Sequence, residues 1–433
     1  MLSEDYKRQY PFDLETCGGF CPNGSAAAFP DRTNVSPRLS IAWAPRQLGG
    51  RTVIRTGFGM FYGEGQLGNQ LSPFENGTSR TLLSSADFPG LSYPIEPFLA
   101  HAASQSNAPR ASQRDRKDMY TMQYGLLIQQ SFARSFVAEV GYLGNQGRQI
   151  FLSSSVNVYD PALGRRPLPQ YNVLGFRGNG GVSSFDSLIA TLRRSMSQGW
   201  LLSANYLWSH SIDDGSTGGD DKTQPQNVKC RHCERSSSRF DVRHTITINS
   251  VYLLPMGPGR KYLRSGGVVG ALVGGWELSN IISARTGQPV IVTVSRRAAD
   301  LPDQNATSTQ RPDVVPGVSL TPPGGSTPWQ WINPAAFKVP GPGQWGNAGR
   351  DILRGPGQFQ IDAGLTKRTQ IFEAVNMEIR VEAFNVLNKP QYAAPQSNLS
   401  SPGNFGRITS VMNTGATGSG TPRQFQLAVR MNF

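Results

Sequence analysis

Four aspartates, Asp213, Asp214, Asp220 and Asp221, crowd into one short polar stretch. Clustered carboxylates on a flexible segment suit a hard cation such as calcium, although a solvated turn explains the same pattern and no metal is expected. The four cysteines fall as two close pairs, Cys17 with Cys21 and Cys230 with Cys233. His232 inside the second pair brings a zinc site to mind, but four-ligand zinc sequences usually repeat C-x-x-C, and the first pair is C-x-x-x-C. Two loop disulfides in an oxidising compartment are the expectation. His101, His210, His232 and His244 stand apart, and the chain has no nucleophile elbow, H-E-x-x-H or Walker loop. The glycines from Gly57 to Gly63 have the wrong spacing for a dinucleotide fingerprint and precede no helix. No catalytic set, cofactor or enzyme activity is therefore expected. One charged pattern does have a period: Glu378, Arg380 and Glu382 alternate with Met377, Ile379 and Val381. Arg55 and Glu139 likewise sit opposite apolar neighbours. At period two these charges share the face of a strand away from the apolar one, where they would line a lumen.

The elements that must carry such faces are strands. Phe425, Leu427, Val429, Met431 and Phe433 alternate with polar residues or alanine to the end of the chain. That is a strand with one apolar and one polar face, ending on an aromatic residue. It looks like the closing strand of a bacterial outer-membrane barrel, whose last aromatic resembles a signal for the barrel-assembly machinery. Similar alternation predicts about ten more strands, near residues 38–44, 52–62, 120–129, 136–144, 186–196, 200–211, 243–254, 276–286, 359–367 and 375–386. Aromatics at both ends of the strand from Trp200 to Trp208 fit a membrane girdle.

Composition narrows the class. The 433 residues are 38% hydrophobic, with 48 Gly and 31 Pro, and no run approaches the ~18 apolar residues of a spanning helix. A barrel wall needs apolar residues only at alternate positions, so low hydropathy fits it equally well. The net charge of +13 comes from scattered residues such as Arg46, Arg51, Arg80, Arg110 and Arg114. That pattern excludes a basic nucleic-acid motif and suits a cationic rim facing anionic lipopolysaccharide.

Connections supply the strongest argument. Turns of about three to seven residues, and one of about twenty, alternate with loops of about thirty to seventy, including one expected over residues 145–185. Short periplasmic turns and long extracellular loops are the construction of an outer-membrane barrel. A soluble sandwich gives no reason to gather every long loop at one end.

Several stretches resemble one family, the TonB-dependent outer-membrane receptors, in particular the group with an N-terminal carboxypeptidase-regulatory-like domain. The residues that carry the resemblance are Tyr206–Asp214, Arg239–His244, Gly274–Trp276, Arg354–Gly357, Arg380–Asn388 and the Phe433 ending. It covers residues from about 34 to 433. The resemblance implies an all-β, antiparallel transmembrane β-barrel, of which about eleven strands of a probable 22 are present. Residues 1–37 would be the start of a fragment, and residues 38–433 the C-terminal half of the barrel. The N-terminal residues have no apolar h-region, so the signal peptide and plug domain are expected to be missing from this chain. Implied partners are outer-membrane lipid and lipopolysaccharide, the barrel-assembly machinery, the TonB complex through the missing part, and a small-molecule or oligomeric nutrient. A passive porin-like or adhesive barrel is the first alternative, and an exported β-rich enzyme the second.

Overall fold

A computed structural model describes residues 11–22, 25–26, 29, 31–63, 90, 92–94, 109–133, 135–169, 171–216, 224–264, 266–306, 308–372, 375–413 and 420–432. Eleven long strands form one antiparallel sheet, each paired with its neighbour in chain order. They are β1 (Arg38–Trp43), β2 (Thr52–Gly63), β3 (Met119–Phe132), β4 (Phe136–Val156), β5 (Leu174–Ser197) and β6 (Trp200–Asp213). β7 (His244–Leu253), β8 (Trp276–Arg285), β9 (Gln358–Phe372), β10 (Val375–Phe384) and β11 (Gln424–Asn432) complete the row. Among the described residues β1 and β11 do not pair, so the wall is an open, partial barrel. Among the described residues no helix is long and apolar enough to cross a membrane.

Register keeps every apolar face on the same side. Ile248 of β7 stands opposite Ala204 of β6 and Ile282 of β8, and Leu427 of β11 stands opposite Val381 of β10. On β11 the side chains of Phe425, Leu427, Val429 and Met431 are all more than half exposed, as a lipid-facing row is when no lipid is counted. Phe433 lies outside the described residues. Aromatics gather at the strand ends: Phe132 stacks on Phe136 at the β3–β4 turn, with ring centroids 5.5 Å apart, and Tyr62 meets Tyr120 at 5.6 Å at the opposite end.

Short connections at 44–51, 133–135, 198–199, 254–275 and 373–374 alternate with the longer ones 64–118, 157–173, 214–243, 286–357 and 385–423. The turn at 254–275 holds the two-turn helix α1 (Gly267–Val273). Lys367 Nζ reaches back to the Ala271 and Gly274 carbonyls at its C-terminal end, the position that favours a cation. Gly275, at φ +71, accepts from Arg368 N across the same turn. A Cβ there would stand 2.1 Å from the Arg368 carbonyl oxygen, so the second glycine of Gly274–Trp276 is fixed by both backbone conformation and space.

Residues 145–185 differ from the expected loop. β4 and β5 run on to Val156 and from Leu174, leaving only 157–173 between them. Outside the lipid a strand no longer needs one apolar face, so this glycine- and serine-rich extension carries no period-two signal.

The apolar core also lies outside the wall. Val292, Ile332, Ala336, Phe337 and Phe405 cluster within the two long connections after β8 and β10. Phe12, Ala111 and Leu174 form a second cluster at the outer end of the β4–β5 hairpin. Wall side chains meet lipid on one face, so compact packing concentrates in the loops.

Candidate functional site

The two faces of the wall separate the charges as alternation requires. Pairing places Arg55, Glu139, Glu378, Arg380 and Glu382 on the face opposite Leu427 and Ile248. Arg55 Nη1 donates to Gln129 Oε1 at 2.9 Å, and Glu139 stands opposite both Gln129 and Thr191. Glu378 receives Arg368 at 2.9 Å and Arg380 at 2.8 Å, Arg368 also reaches Glu277 at 2.7 Å, and Glu382 lies 3.7 Å from Arg380. This ladder joins β8, β9 and β10, so its carboxylates already have partners within the wall.

A denser set of charges crowns the outer ends of the strands. Arg350, from the connection after β8, pairs with Asp213 at the tip of β6. It also donates to the Asp213 carbonyl at 2.6 Å, to Ser216 Oγ at 2.9 Å and to the Glu234 carbonyl at 2.8 Å. Arg311 from the same connection meets Glu234 Oε2 at 2.5 Å, and Gln226 N donates to the other carboxylate oxygen at 3.0 Å. Both pairs are more than nine-tenths buried. Asp241 gathers Arg354, Arg243 and the Ser211 N–H. Four of these contacts, Arg350 to Ser216 and to the Glu234 carbonyl, Arg311 to Glu234, and Arg354 to Asp241, tie residues 214–243 to 286–357.

This crown is where the sequence motifs meet. Asp241 and Arg243 belong to Arg239–His244, Arg354 to Arg354–Gly357, and His210, Ser211 and Asp213 to Tyr206–Asp214. Gly355 N bonds the Gln288 carbonyl, and a Cβ on Gly287 would stand 1.8 Å from the Gly355 oxygen, so Arg354 is held on a close backbone crossing. Asn385, of the Arg380–Asn388 motif, is buried; its N–H donates to Asp362 Oδ1 and its Nδ2 to the Lys389 and Thr421 carbonyls.

Two of the four aspartates weighed as calcium ligands are engaged by other groups. Asp213 is taken by Arg350, and Asp214 accepts from Val182 N and lies 3.5 Å from Arg231. Burial nonetheless pushes the Asp214 carboxyl up. Asp220 and Asp221 lie outside the described residues. Asp351 is buried with neither carboxylate oxygen hydrogen-bonded, 3.6 Å from Arg350, and burial raises its pKa too. The sulfurs of Cys17 and Cys21 lie 2.04 Å apart and those of Cys230 and Cys233 lie 1.94 Å apart.

One pairing resembles hydrolase chemistry and fails on geometry. His210 Nε2 lies 3.2 Å from Ser237 Oγ, but the same nitrogen faces Arg243 Nη2 at 2.9 Å. The guanidinium N–H occupies the lone pair that would take the serine proton. Sequence reading missed the crown because Arg311, Arg350 and Arg354 sit in a proline- and glycine-rich stretch without periodicity. The local signal is that Asp213, Asp241, Arg243 and Arg354 fall within the stretches that carry the family resemblance.

An antiparallel wall with apolar rows on one face, charged residues on the opposite face and braced long connections is the construction of an outer-membrane β-barrel. Residues 5–426 match the family described as outer membrane beta barrel domain, and the chain belongs to it. Its place is accordingly the bacterial outer membrane. A comparison with curated protein sequences finds no match. Among solved structures, the outer membrane transporter YddB from Escherichia coli aligns with a TM-score of 0.50 at 13% identity, over 92% of this chain and 40% of that one. The ferripyoverdine receptor of Pseudomonas aeruginosa aligns at TM-score 0.43 and 10% identity, over 96% of this chain and 34% of its own. The siderophore receptor PiuA from Acinetobacter baumannii gives 0.41 and 13%, over 95% and 38%. At such identity the YddB alignment speaks for the fold alone. The chain spans about a third to two fifths of the length of the solved proteins it matches.

Proposed function

We propose that this chain is the C-terminal part of the barrel of a TonB-dependent importer, in the group with an N-terminal carboxypeptidase-regulatory-like domain. Such a protein takes up a scarce small-molecule or oligomeric nutrient. The observation that carries this reading is the crown: long connections on one side of the membrane, braced by buried Arg311–Glu234 and Arg350–Asp213 pairs above a charged inner wall. A rigid outer vestibule over a polar lumen suits capture of a ligand followed by passage inward. Unpaired β1 and β11 edges would cost several kcal/mol per backbone group in lipid, so each needs a further strand to close the barrel. In this reading the same protein supplies those strands, a plug, and the segment that meets TonB.

The test is growth on single limiting nutrients, comparing wild type, a deletion of the full gene and a deletion of tonB. Loss of growth on the same nutrient in both deletions supports the importer. A nutrient lost on gene deletion but kept without TonB makes the barrel a passive pore, and no nutrient phenotype in either points to adhesion or another surface role.

A further inference from the structure

The turn Arg231–Glu234 has two sides with opposite characters. Arg231 faces inward to Asp214, and Glu234 is buried against Arg311, while its carbonyl accepts from Arg350 Nε. Between these anchors His232 and Cys233 are exposed, and Cys230, just before Arg231, is half-buried. His232 Nε2 lies 3.3 Å from Cys230 Sγ and 3.9 Å from Cys233 Sγ, and the ligating atoms of all three residues fall within 4.8 Å of one another. A tetrahedral ion with metal–sulfur bonds of ~2.3 Å and metal–nitrogen bonds of ~2.0 Å has edges of roughly 3.5–3.8 Å, close to the nitrogen–sulfur separations already present.

We propose that Cys230, His232 and Cys233 form a redox-gated site for a thiophilic divalent cation of the zinc class on the outer face. In the oxidised protein the two sulfurs are joined and the site is shut. A low-molecular-weight thiol opens it in two exchanges. The first thiolate attacks one sulfur to give a mixed disulfide and one cysteine thiol, and the second attacks the reagent sulfur of that mixed disulfide and releases the second cysteine thiol. The cysteine pair gains two electrons and two protons, and two reagent thiols are oxidised to one reagent disulfide. The cation then displaces the two thiol protons and binds both sulfurs and His232 Nε2, leaving a fourth position to solvent or an external ligand. The half-buried Arg231 and the buried Glu234 anchor the turn that carries the ligands before the ion arrives, so little ordering is required on binding.

The experiment uses full-length protein purified from outer membranes in detergent, with Co2+ as the probe. After reduction by a dithiol and its removal, the protein should bind one equivalent of Co2+ with a thiolate-to-metal absorption band that the oxidised protein lacks. His232→Ala should weaken binding at least tenfold, Cys230→Ser should abolish the band, and Cys17→Ser should leave it unchanged. Equal binding before and after reduction overturns the proposal. So does a reduced protein with both thiols of this pair titratable and no bound Co2+, or a Cys230–Cys233 bond that survives dithiol in the folded protein. If Cys230→Ser fails to assemble, the oxidised and reduced wild-type comparison decides alone. Nutrient uptake by the oxidised protein is a separate readout, so a failed metal site leaves the importer reading standing.

Discussion

Arginine placed at the middle of β7 tests which face of the wall meets lipid. β7 has ten residues; at ~3.3 Å per residue and a tilt near 40° it spans roughly 25 Å of membrane, the height of the apolar band. Ile248 lies mid-strand, between Ala204 and Ile282, with its side chain on the apolar face. Thr247 is one residue away at nearly the same depth, but its neighbours Asn205 and Ser283 lie on the polar face. Ile248→Arg should therefore cost about 2–4 kcal/mol, a roughly 30- to 700-fold shift in the folding equilibrium. Thr247→Arg can extend into the aqueous lumen and should cost less than about 1 kcal/mol. Leu427→Arg and Gln426→Arg on β11 repeat the comparison at a second strand. The assay is urea titration of the intact barrel protein refolded into phospholipid vesicles, read by tryptophan emission and heat-modifiable mobility. Equal costs for Ile248→Arg and Thr247→Arg would refute the lipid assignment, because depth and added charge are the same and only the face differs.

Further outcomes follow from the crown and the turns. Glu234→Ala strands Arg311 without its buried partner and should destabilise the outer loops by about 3–5 kcal/mol, seen as faster proteolysis within 214–243, whereas Arg368→Ala on the half-exposed ladder should cost no more than about 1 kcal/mol. Asp351 binds a proton more readily folded than unfolded, so its contribution is favourable below its ordinary pKa of 3.8 and is lost as pH rises through the elevated folded value. Asp351→Asn should accordingly raise the thermal midpoint at neutral pH and flatten its pH dependence, and a lower midpoint at neutral pH would contradict this. Gly275→Ala meets both a positive φ and the Arg368 oxygen, and should cost at least about 2 kcal/mol, visible as reduced barrel assembly. Mass spectrometry of non-reduced peptides should recover Cys17 joined to Cys21 and Cys230 joined to Cys233; free thiols in either pair would speak against both bonds forming on export.

What could be read from the sequence was what lipid imposes. Strands such as β7 and β11 must turn every second side chain to hydrocarbon, so their positions, faces and alternating connections stand in the order of residues. The Glu378, Arg380 and Glu382 row is legible for the same reason. Beyond the membrane that constraint lapses. β4 and β5 continue through Gly144–Val156 and Leu174–Phe185 with residues that suit water on both faces, and a strand there looks like a loop. The crown was less legible still, because pair choice is not local. Arg350 and Asp213 are 137 residues apart, and Arg311 and Glu234 are 77 apart. Nothing near Arg350 distinguishes it from Arg260 or Arg407 until the fold brings Asp213 beside it.

Those distant pairs also bear on how the outer surface behaves. Removing a charge from water is costly, so Arg311, Arg350, Asp213 and Glu234 are tolerated as buried groups only while each has its partner and further hydrogen bonds. Opening the loop body by separating 214–243 from 286–357 would strand several of these charges together, which makes partial opening unfavourable and full opening cooperative. Any opening of this part of the barrel is thus expected to move the two connections jointly rather than to peel one from the other. Hydrogen exchange should show Ser211, Gln226 and Arg311 amides, all bonded within the crown, exchanging at one common rate. Rates that differ among them by more than tenfold after correction for intrinsic exchange would mean that the crown opens in parts.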